Sequence, residues 1–276
     1  MKNDIRIIAL DLDGTLLDDQ KRLSQANRAA LERAANQGAH VVVATGRFFP
    51  GIPQELRDLP FLRYFILMNG AKVYDRQEDK VLYRAEIDLA RAEQVFDYLA
   101  PLDMMVDCYQ NDVGLLDRRC RERLEYFVPD YESRKLVIRN RVTVDDFRVA
   151  VRSGRTVQKI QCYFPHVEQR PEVMAKLAQE FPELVQSISL PHNLELNAAN
   201  ATKGQALLAL CRELGVDAAQ SVAFGDGTND LSMVRSAGVG VAMANAAPET
   251  LAAADLVAPT NNEDGVARIL ERWFPE

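Results

Sequence analysis

The chain contains no uninterrupted run of about 18 apolar residues, the minimum for a membrane-crossing helix, so no transmembrane segment is expected. Cysteine is scarce: Cys108, Cys120, Cys162 and Cys211 are the only four, and none stands in a Cys-x-x-Cys pair. That excludes a zinc ribbon and a thioredoxin-like motif, and leaves reduced thiols in a cytoplasmic protein as the expectation. Histidine is scarcer still, and His40, His166 and His192 lack metal-ligand spacing. Positive charge is in deficit, with 33 Lys and Arg against 40 Asp and Glu and a net charge of -7. This balance argues against a nucleic-acid-binding surface. It does not argue against a small anionic ligand, because one metal ion or lysine inverts the local field. No internal repeat or low-complexity tract is found, and no secretory leader is expected, since Met1-Lys2-Asn3-Asp4 run directly into a strand pattern.

What is present is an ordinary globular composition, 47% hydrophobic over 276 residues, enough for one large domain or two ordinary ones. Its most informative stretch is Ile5-Arg6-Ile7-Ile8-Ala9-Leu10 followed by Asp11-Leu12-Asp13-Gly14-Thr15. The apolar run, interrupted only by Arg6, reads as a buried parallel strand. Ligand sites of open α/β sheets lie beyond the carboxyl ends of such strands. If the extended conformation continues, Asp11 and Asp13 point to one side and share a pocket, and Gly14 lets the chain turn away.

Strand and helix patterns alternate at first: strand 5–10, helix 24–37 with Ser24 as N-cap and Gly38 as stop, strand 39–44, a helical piece at 53–58 and strand 64–68. This βαβαβ order predicts a parallel sheet. After residue 80 the pattern changes. A helix at 90–99, a hairpin over 104–115 turning at 109–112, a strand at 160–164, a helix at 171–180 and a second hairpin over 187–196 suggest an antiparallel α+β module. The parallel pattern resumes with helix 203–214 and strands 221–224, 239–243 and 256–258, ending in a helix over 265–274. The fold class is therefore α/β, a Rossmann-like parallel-sheet core over 1–79 and 196–276 with an α+β insertion at 80–195. Hinges are expected near 75–79 and 195–200.

Four polar clusters fall at strand ends or at a helix start: Asp11 with Asp13, Thr45-Gly46-Arg47, Lys203-Gly204, and Asp226 with Asn229 and Asp230. Taken singly, each is compatible with turn, cap or surface chemistry. If they converge, four carboxylates meet one lysine. Two like charges about 4 Å apart repel by roughly 4 kcal/mol at a surface-like effective dielectric. A hard divalent cation offsets that repulsion, and all-oxygen ligands favour Mg²⁺.

These residues resemble the haloacid dehalogenase (HAD) superfamily of phosphatases, in particular its Cof-type subfamily, IIB, with a type-two α/β cap. Asp11-Leu12-Asp13-Gly14-Thr15-Leu16-Leu17 fits the first family motif, Val43-Ala44-Thr45-Gly46-Arg47 the second, Thr202-Lys203-Gly204 the third and Gly225-Asp226-Gly227-Thr228-Asn229-Asp230 the fourth. Asn69-Gly70-Ala71 and the run from Asn262 to Ala267 also resemble Cof-type sequences. The resemblance implies Asp11 as nucleophile, Asp13 as acid and base, and Lys203 as the neutralising cation. It implies phosphate or substrate contacts at Thr45, Gly46, Arg47, Asn69, Gly70 and Asn229. It further implies Mg²⁺ on Asp11, the Asp13 carbonyl and Asp226, with Asp230 behind them orienting Lys203 or a metal-bound water. Asn200 and Ala244 stand where the family usually or often carries glycine.

The expected activity is Mg²⁺-dependent hydrolysis of a small soluble phosphomonoester, such as a sugar phosphate, through an aspartyl-phosphate, with the cap selecting the leaving group. The alternatives are a phosphomutase or phosphotransferase of the same superfamily and a non-catalytic phosphometabolite-binding regulator. A monomer or small homo-oligomer is expected, without nucleic-acid or membrane partners. In the cap, Arg118, Arg119, Arg121 and Arg123 read as a solvated face, and Tyr109 falls in the predicted hairpin turn, where it could touch a leaving group.

Overall fold

The computed structural model describes residues 4–275; Met1-Lys2-Asn3, expected to lead into the first strand, lie outside them, as does Glu276. The chain divides into two compact units. One comprises the described residues up to Arg84 and from Asn200 onward; the other is Ala85–Ala199.

The first unit is built on an eight-stranded sheet. Its order is Leu256–Ala258, Val239–Met243, Ser221–Gly225, Ile7–Leu10, His40–Ala44, Leu62–Leu67, Lys72–Asp75 and Lys80–Arg84. The first six strands run parallel, and the last two add on antiparallel. Parallel strands covered on both faces must be apolar throughout, and Ile7–Leu10 is buried at every position. The chain winds from this strand toward Leu62–Leu67 and later returns to its other side at Ser221–Gly225. Ile7–Leu10 therefore sits at the topological switch point, where crevices form in such sheets.

Helices cover the sheet as their periodicity requires. Gln25–Asn36 buries Asn27, Ala30, Leu31 and Ala34, one stripe at helical spacing, and Ser24 caps it by accepting the Asn27 amide. Lys203–Leu214 buries Ala206, Leu207, Leu210 and Cys211 against Ile7, Ala9, Val42 and Ala223. Asn200 and Ala244 are not among the positive-φ residues, so neither position demands a glycine.

The second unit carries a six-stranded sheet ordered Leu184–Ser187, Asn193–Ala198, Lys159–Tyr163, Met105–Gln110, Val113–Asp117 and Arg141–Val144. It is antiparallel except for the last pair. Leu89–Leu99, Phe147–Val151 and Arg170–Glu180 build one apolar core on it with residues such as Phe96, Val151, Ile160 and Leu177. All four cysteines are free.

Three expectations need correction. The unit boundaries fall at 84/85 and 199/200 instead of 79/80 and 195/196. Lys80–Arg84 pairs with Lys72–Asp75 to complete the first sheet, and Asn193–Ala198 is one continuous strand of the second. Residues 76–79 are thus a hairpin turn, and 75–79 is no hinge: the Asp75 carboxylate accepts the Gln77 and Glu78 amides and two Arg63 nitrogens. Tyr109 is not in a turn either. It lies buried within Met105–Gln110, where its hydroxyl accepts from Arg141 Nη1 at 2.7 Å, while Asn111 and Asp112 make the turn with positive φ. The helix Tyr131–Arg139 escaped the sequence reading because charged residues break up its apolar pattern, and the strand Arg141–Val144 because it is only four residues long with none of them buried.

Burial makes the packing testable. Leu207→Ala should cost about 3 kcal/mol in chemical denaturation, whereas Val257→Ala, on a half-exposed edge position, should change stability by less than about 0.5 kcal/mol.

Candidate active site

The site grows from the end of the central strand. The strand stops at Leu10, but the Asp11 amide still donates to the Phe224 carbonyl at 3.0 Å, which ties Asp11 to the sheet. The chain then turns at Leu12, so Asp13 is set by its own partners and not by strand alternation, while it stays near enough to raise the Asp226 carboxyl. The Asp13 carboxylate goes instead to Arg47, whose Nε and Nη2 donate at 2.9 and 2.7 Å, and to Lys21 Nζ at 2.8 Å. Burial opposes ionisation of Asp13, but Arg47 and Lys21 outweigh it and hold the carboxyl below its usual range.

Asp11 meets a different set. Carboxylate oxygens of Asp11, Asp226 and Asp230 lie within 4.8 Å of one another. Lys203, the first residue of its helix and fully buried, donates from Nζ to Asp11 Oδ1 at 2.6 Å and to Asp230 Oδ1 at 2.5 Å. The other Asp230 oxygen accepts the Asp226 and Gly227 amides at 3.0 and 2.9 Å. Asp230 thus joins the Asp226 loop to Lys203, and both its oxygens are engaged by the protein. Thr15 donates to Asp226 Oδ1 at 2.7 Å. Gly14 fits only as glycine, since its φ is +88° and a Cβ would stand 2.4 Å from Asp226 Oδ2.

Three carboxylates around one ammonium leave the cluster over-negative. Burial, reinforced by Asp230 and Asp226, pushes the Asp11 carboxyl up to about 8 despite Lys203. Burial also raises Asp226 to about 6 against the Thr15 hydrogen bond. Lys203 stays charged: burial works against its ammonium, but Asp11 and Asp230 raise its pKa. An all-oxygen set short of positive charge is what a hard divalent cation requires, so the residues present fit one.

The second and third strand ends complete the surroundings. Thr45 is buried, and its hydroxyl accepts the Arg47 amide at 3.2 Å. Asn69 is left-handed, at φ +58°, and its side-chain oxygen accepts from Asn229 Nδ2 at 3.2 Å. A Cβ on Gly46 would stand 2.8 Å from that same oxygen, so Gly46, Asn69 and Asn229 adjoin one another. Gly70 has a packing reason for being glycine: its φ is +102° and a Cβ would sit 2.2 Å from the Thr202 carbonyl. Arg47 spends its third nitrogen on the Gly51 carbonyl, at 3.2 Å, so in this arrangement it serves Asp13 and its own loop. The sequence reading missed Lys21 and Thr15. Thr15 stands inside the quoted first motif; nothing in the sequence pairs Lys21 with Asp13.

Fold and site define a class of α/β enzymes that work with a carboxylate cluster and one buried lysine at the switch point of a parallel sheet. The sequence model of haloacid dehalogenase-like hydrolases matches residues 8–270. The chain belongs to that family of hydrolases, and its relatives place it among the phosphatases. It is 29% identical to phosphatase YwpJ of Bacillus subtilis, over 97% of this chain and 99% of that one. It is 28% identical to 5-amino-6-(5-phospho-D-ribitylamino)uracil phosphatase YcsE of the same organism, over 98% and 96%. It shares its fold with the HAD subclass IIB sugar phosphatase BT4131, at TM-score 0.81 and 23% identity over 97% of this chain and 98% of that one.

The raised carboxyls make cation binding compete with protons. Burial favours a proton on Asp11 in the cation-free site, and an incoming cation must expel it. Calorimetric titration with a divalent cation should therefore release about one proton at pH 7 and almost none above pH 9. The apparent affinity should weaken steadily from pH 8 to pH 6, as Asp226 joins in.

Proposed function

We propose that the protein is a Mg²⁺-dependent phosphomonoester hydrolase of small phosphorylated metabolites, working through a phosphoryl group carried on Asp11. The observation that carries this reading is the buried Lys203 bridging Asp11 and Asp230 beside Asp226. A carboxylate held by a buried ammonium can serve as a nucleophile toward an electrophile that is itself held and neutralised, and a phosphoryl group is one.

In the first half-reaction an Asp11 oxygen attacks phosphorus, and the bond from phosphorus to the ester oxygen breaks. The leaving alkoxide takes a proton from Asp13. In the second, Asp13 accepts a proton from water as that water attacks the phosphorus, and Asp11 is released. Lys203 holds Asp11 in place and balances charge on the phosphoryl oxygens, while Asp230 holds Lys203. Arg47 and Lys21 favour the ionised form of Asp13, the form that takes the proton from water in the second half-reaction, and the proton so gained is the one Asp13 gives to the next leaving alkoxide. Thr45, Gly46 and Asn229 supply donors to the phosphoryl oxygens. Asp11 and Asp226, with the Asp13 carbonyl, would hold Mg²⁺, which when bound neutralises phosphoryl charge and orients the group.

We assign leaving-group selection to the inserted unit, Ala85–Ala199. The substrate class is a phosphate on a polyhydroxylated chain. YcsE carries a phosphoribityl substrate in its name and BT4131 is described as a sugar phosphatase. No helix among the described residues is long and apolar enough to cross a membrane, in keeping with a soluble metabolite met in the cytoplasm.

Phosphate release from an aryl phosphate with Mg²⁺ tests the reaction. Asp11→Asn should lose at least about a thousandfold in kcat, and chelation should abolish the wild-type rate. Equal rates in the two proteins, independent of metal, would overturn the reading. Acid quenching of wild type during turnover of a ³²P-labelled substrate should leave label on the chain, and Asp11→Asn should carry none. Label transferred to a second alcohol in the products, with no free phosphate, would indicate a phosphotransferase instead.

A further inference from the structure

We propose that three asparagines remote in sequence, Asn27, Asn245 and Asn261, are positioning residues that hold the loop after Asp13 in its working conformation. The inference rests on the phosphatase reading and assigns residues outside the four motifs.

Residues 14–19 leave the central strand and carry Thr15, the partner of Asp226. Their amides turn back to the strand end: Leu16 N donates to the Asp11 carbonyl at 3.2 Å, and Leu17 N to the Leu12 carbonyl at 2.9 Å. Their carbonyls are taken by asparagines. Asn245 Nδ2 donates to Gly14 O at 2.8 Å, Asn27 Nδ2 to Leu16 O at 3.4 Å and Asn261 Nδ2 to Leu17 O at 2.9 Å. Leu16 and Leu17 are buried, so no solvent would replace those donors. Asp19 is fastened as well: its amide donates to Asn262 Oδ1 at 3.1 Å, and its carboxylate accepts from Asn261 and Asn262 at 3.2 and 3.0 Å.

The asparagines are themselves locked. Asn261 N donates to Asn245 Oδ1 at 3.2 Å, and Ala267 N to Asn27 Oδ1 at 2.9 Å. One belongs to the helix Gln25–Asn36, one follows the strand Val239–Met243, and one opens the turn Asn261–Glu263. Three separate segments therefore converge on one loop. A primary amide suits this task because it donates and accepts at once and carries no charge to disturb the carboxylates nearby. The loop's backbone returns to Asp11 and Leu12, so its shape determines where Asp13 and Thr15 stand. A shift of about 1 Å at such a position costs up to about a hundredfold in rate. The run from Asn262 to Ala267, which resembles Cof-type sequences, gains a physical reason by the same account: it anchors this loop.

The test pairs kinetics with amide exchange in Asn261→Asp, which keeps the shape but cannot donate, and in the milder, solvent-exposed Asn245→Ala. Both proteins should melt cooperatively. Amides 14–19 should exchange about tenfold faster than in wild type, with other strand ends unchanged. On an aryl phosphate kcat should fall about tenfold or more in Asn261→Asp and about threefold in Asn245→Ala, with KM within twofold of wild type. A kcat at the wild-type level despite a loosened loop would overturn the proposal, and so would a lost kcat with loop protection unchanged. Wild-type turnover tests the phosphatase reading by itself, and the exchange ratio needs no turnover, so the two can fail separately.

Discussion

The ammonium of Lys203, buried between Asp11 and Asp230, is the interaction on which the rest of the site depends. A lone buried ammonium is very costly, and so is each buried carboxylate. Together they are tolerable because each is paired and hydrogen-bonded. The balance is still incomplete: with Asp226 beside them, the negative charges outnumber the positive one. Burial, reinforced by that surplus, lifts the carboxyls of Asp11 and Asp226, and the surplus makes the site receptive to a cation and to the phosphoryl chemistry a cation supports.

The architecture delivers these groups from opposite ends of the sequence. Asp11 comes from the central strand, Asp226 and Asp230 from the loop after its neighbour, and Lys203 from a helix start. The switch point of a doubly wound sheet is where such elements open a crevice. Small residues then permit the close approach: Gly14 admits the Asp226 carboxylate and Gly70 admits the backbone before Lys203. Arg47 and Lys21 form a second electrostatic group around Asp13. The two neighbouring aspartates are thus shifted in opposite directions, Asp11 up and Asp13 down, and divergent environments of this kind separate the roles of two carboxyl groups.

Much of this was legible beforehand where local chemistry dominates. Ser24 as a helix cap, the apolar stripe of Gln25–Asn36 and the polar clusters at the strand ends are short-range patterns. The misreadings share a different physics. Lys80–Arg84 looked like the start of a new module because an edge strand needs no apolar run; only its pairing with Lys72–Asp75 assigns it. Tyr109 looked like a turn residue because Asn111 and Asp112, the left-handed pair, stand two and three positions later. Lys21 carried no signal at all, since its partner is set by how the loop folds back.

The sequence by itself determined the chemical inventory and its order: a strand ending in Asp11-Leu12-Asp13, a threonine and arginine after the next strand, a lysine opening a helix, and an acidic loop before the last strands. These follow from periodicity, capping and the resemblance of motifs. Tertiary structure alone decided which charge meets which. It gave Lys203 to Asp11 and Asp230, Arg47 and Lys21 to Asp13, Thr15 to Asp226, and three distant asparagines to the carbonyls of one loop. The reason is range. Capping and periodicity act over a few residues, whereas an ion pair or a side-chain hydrogen bond needs two groups within about 3 Å, and only the folded sheet brings residues some two hundred positions apart to that distance.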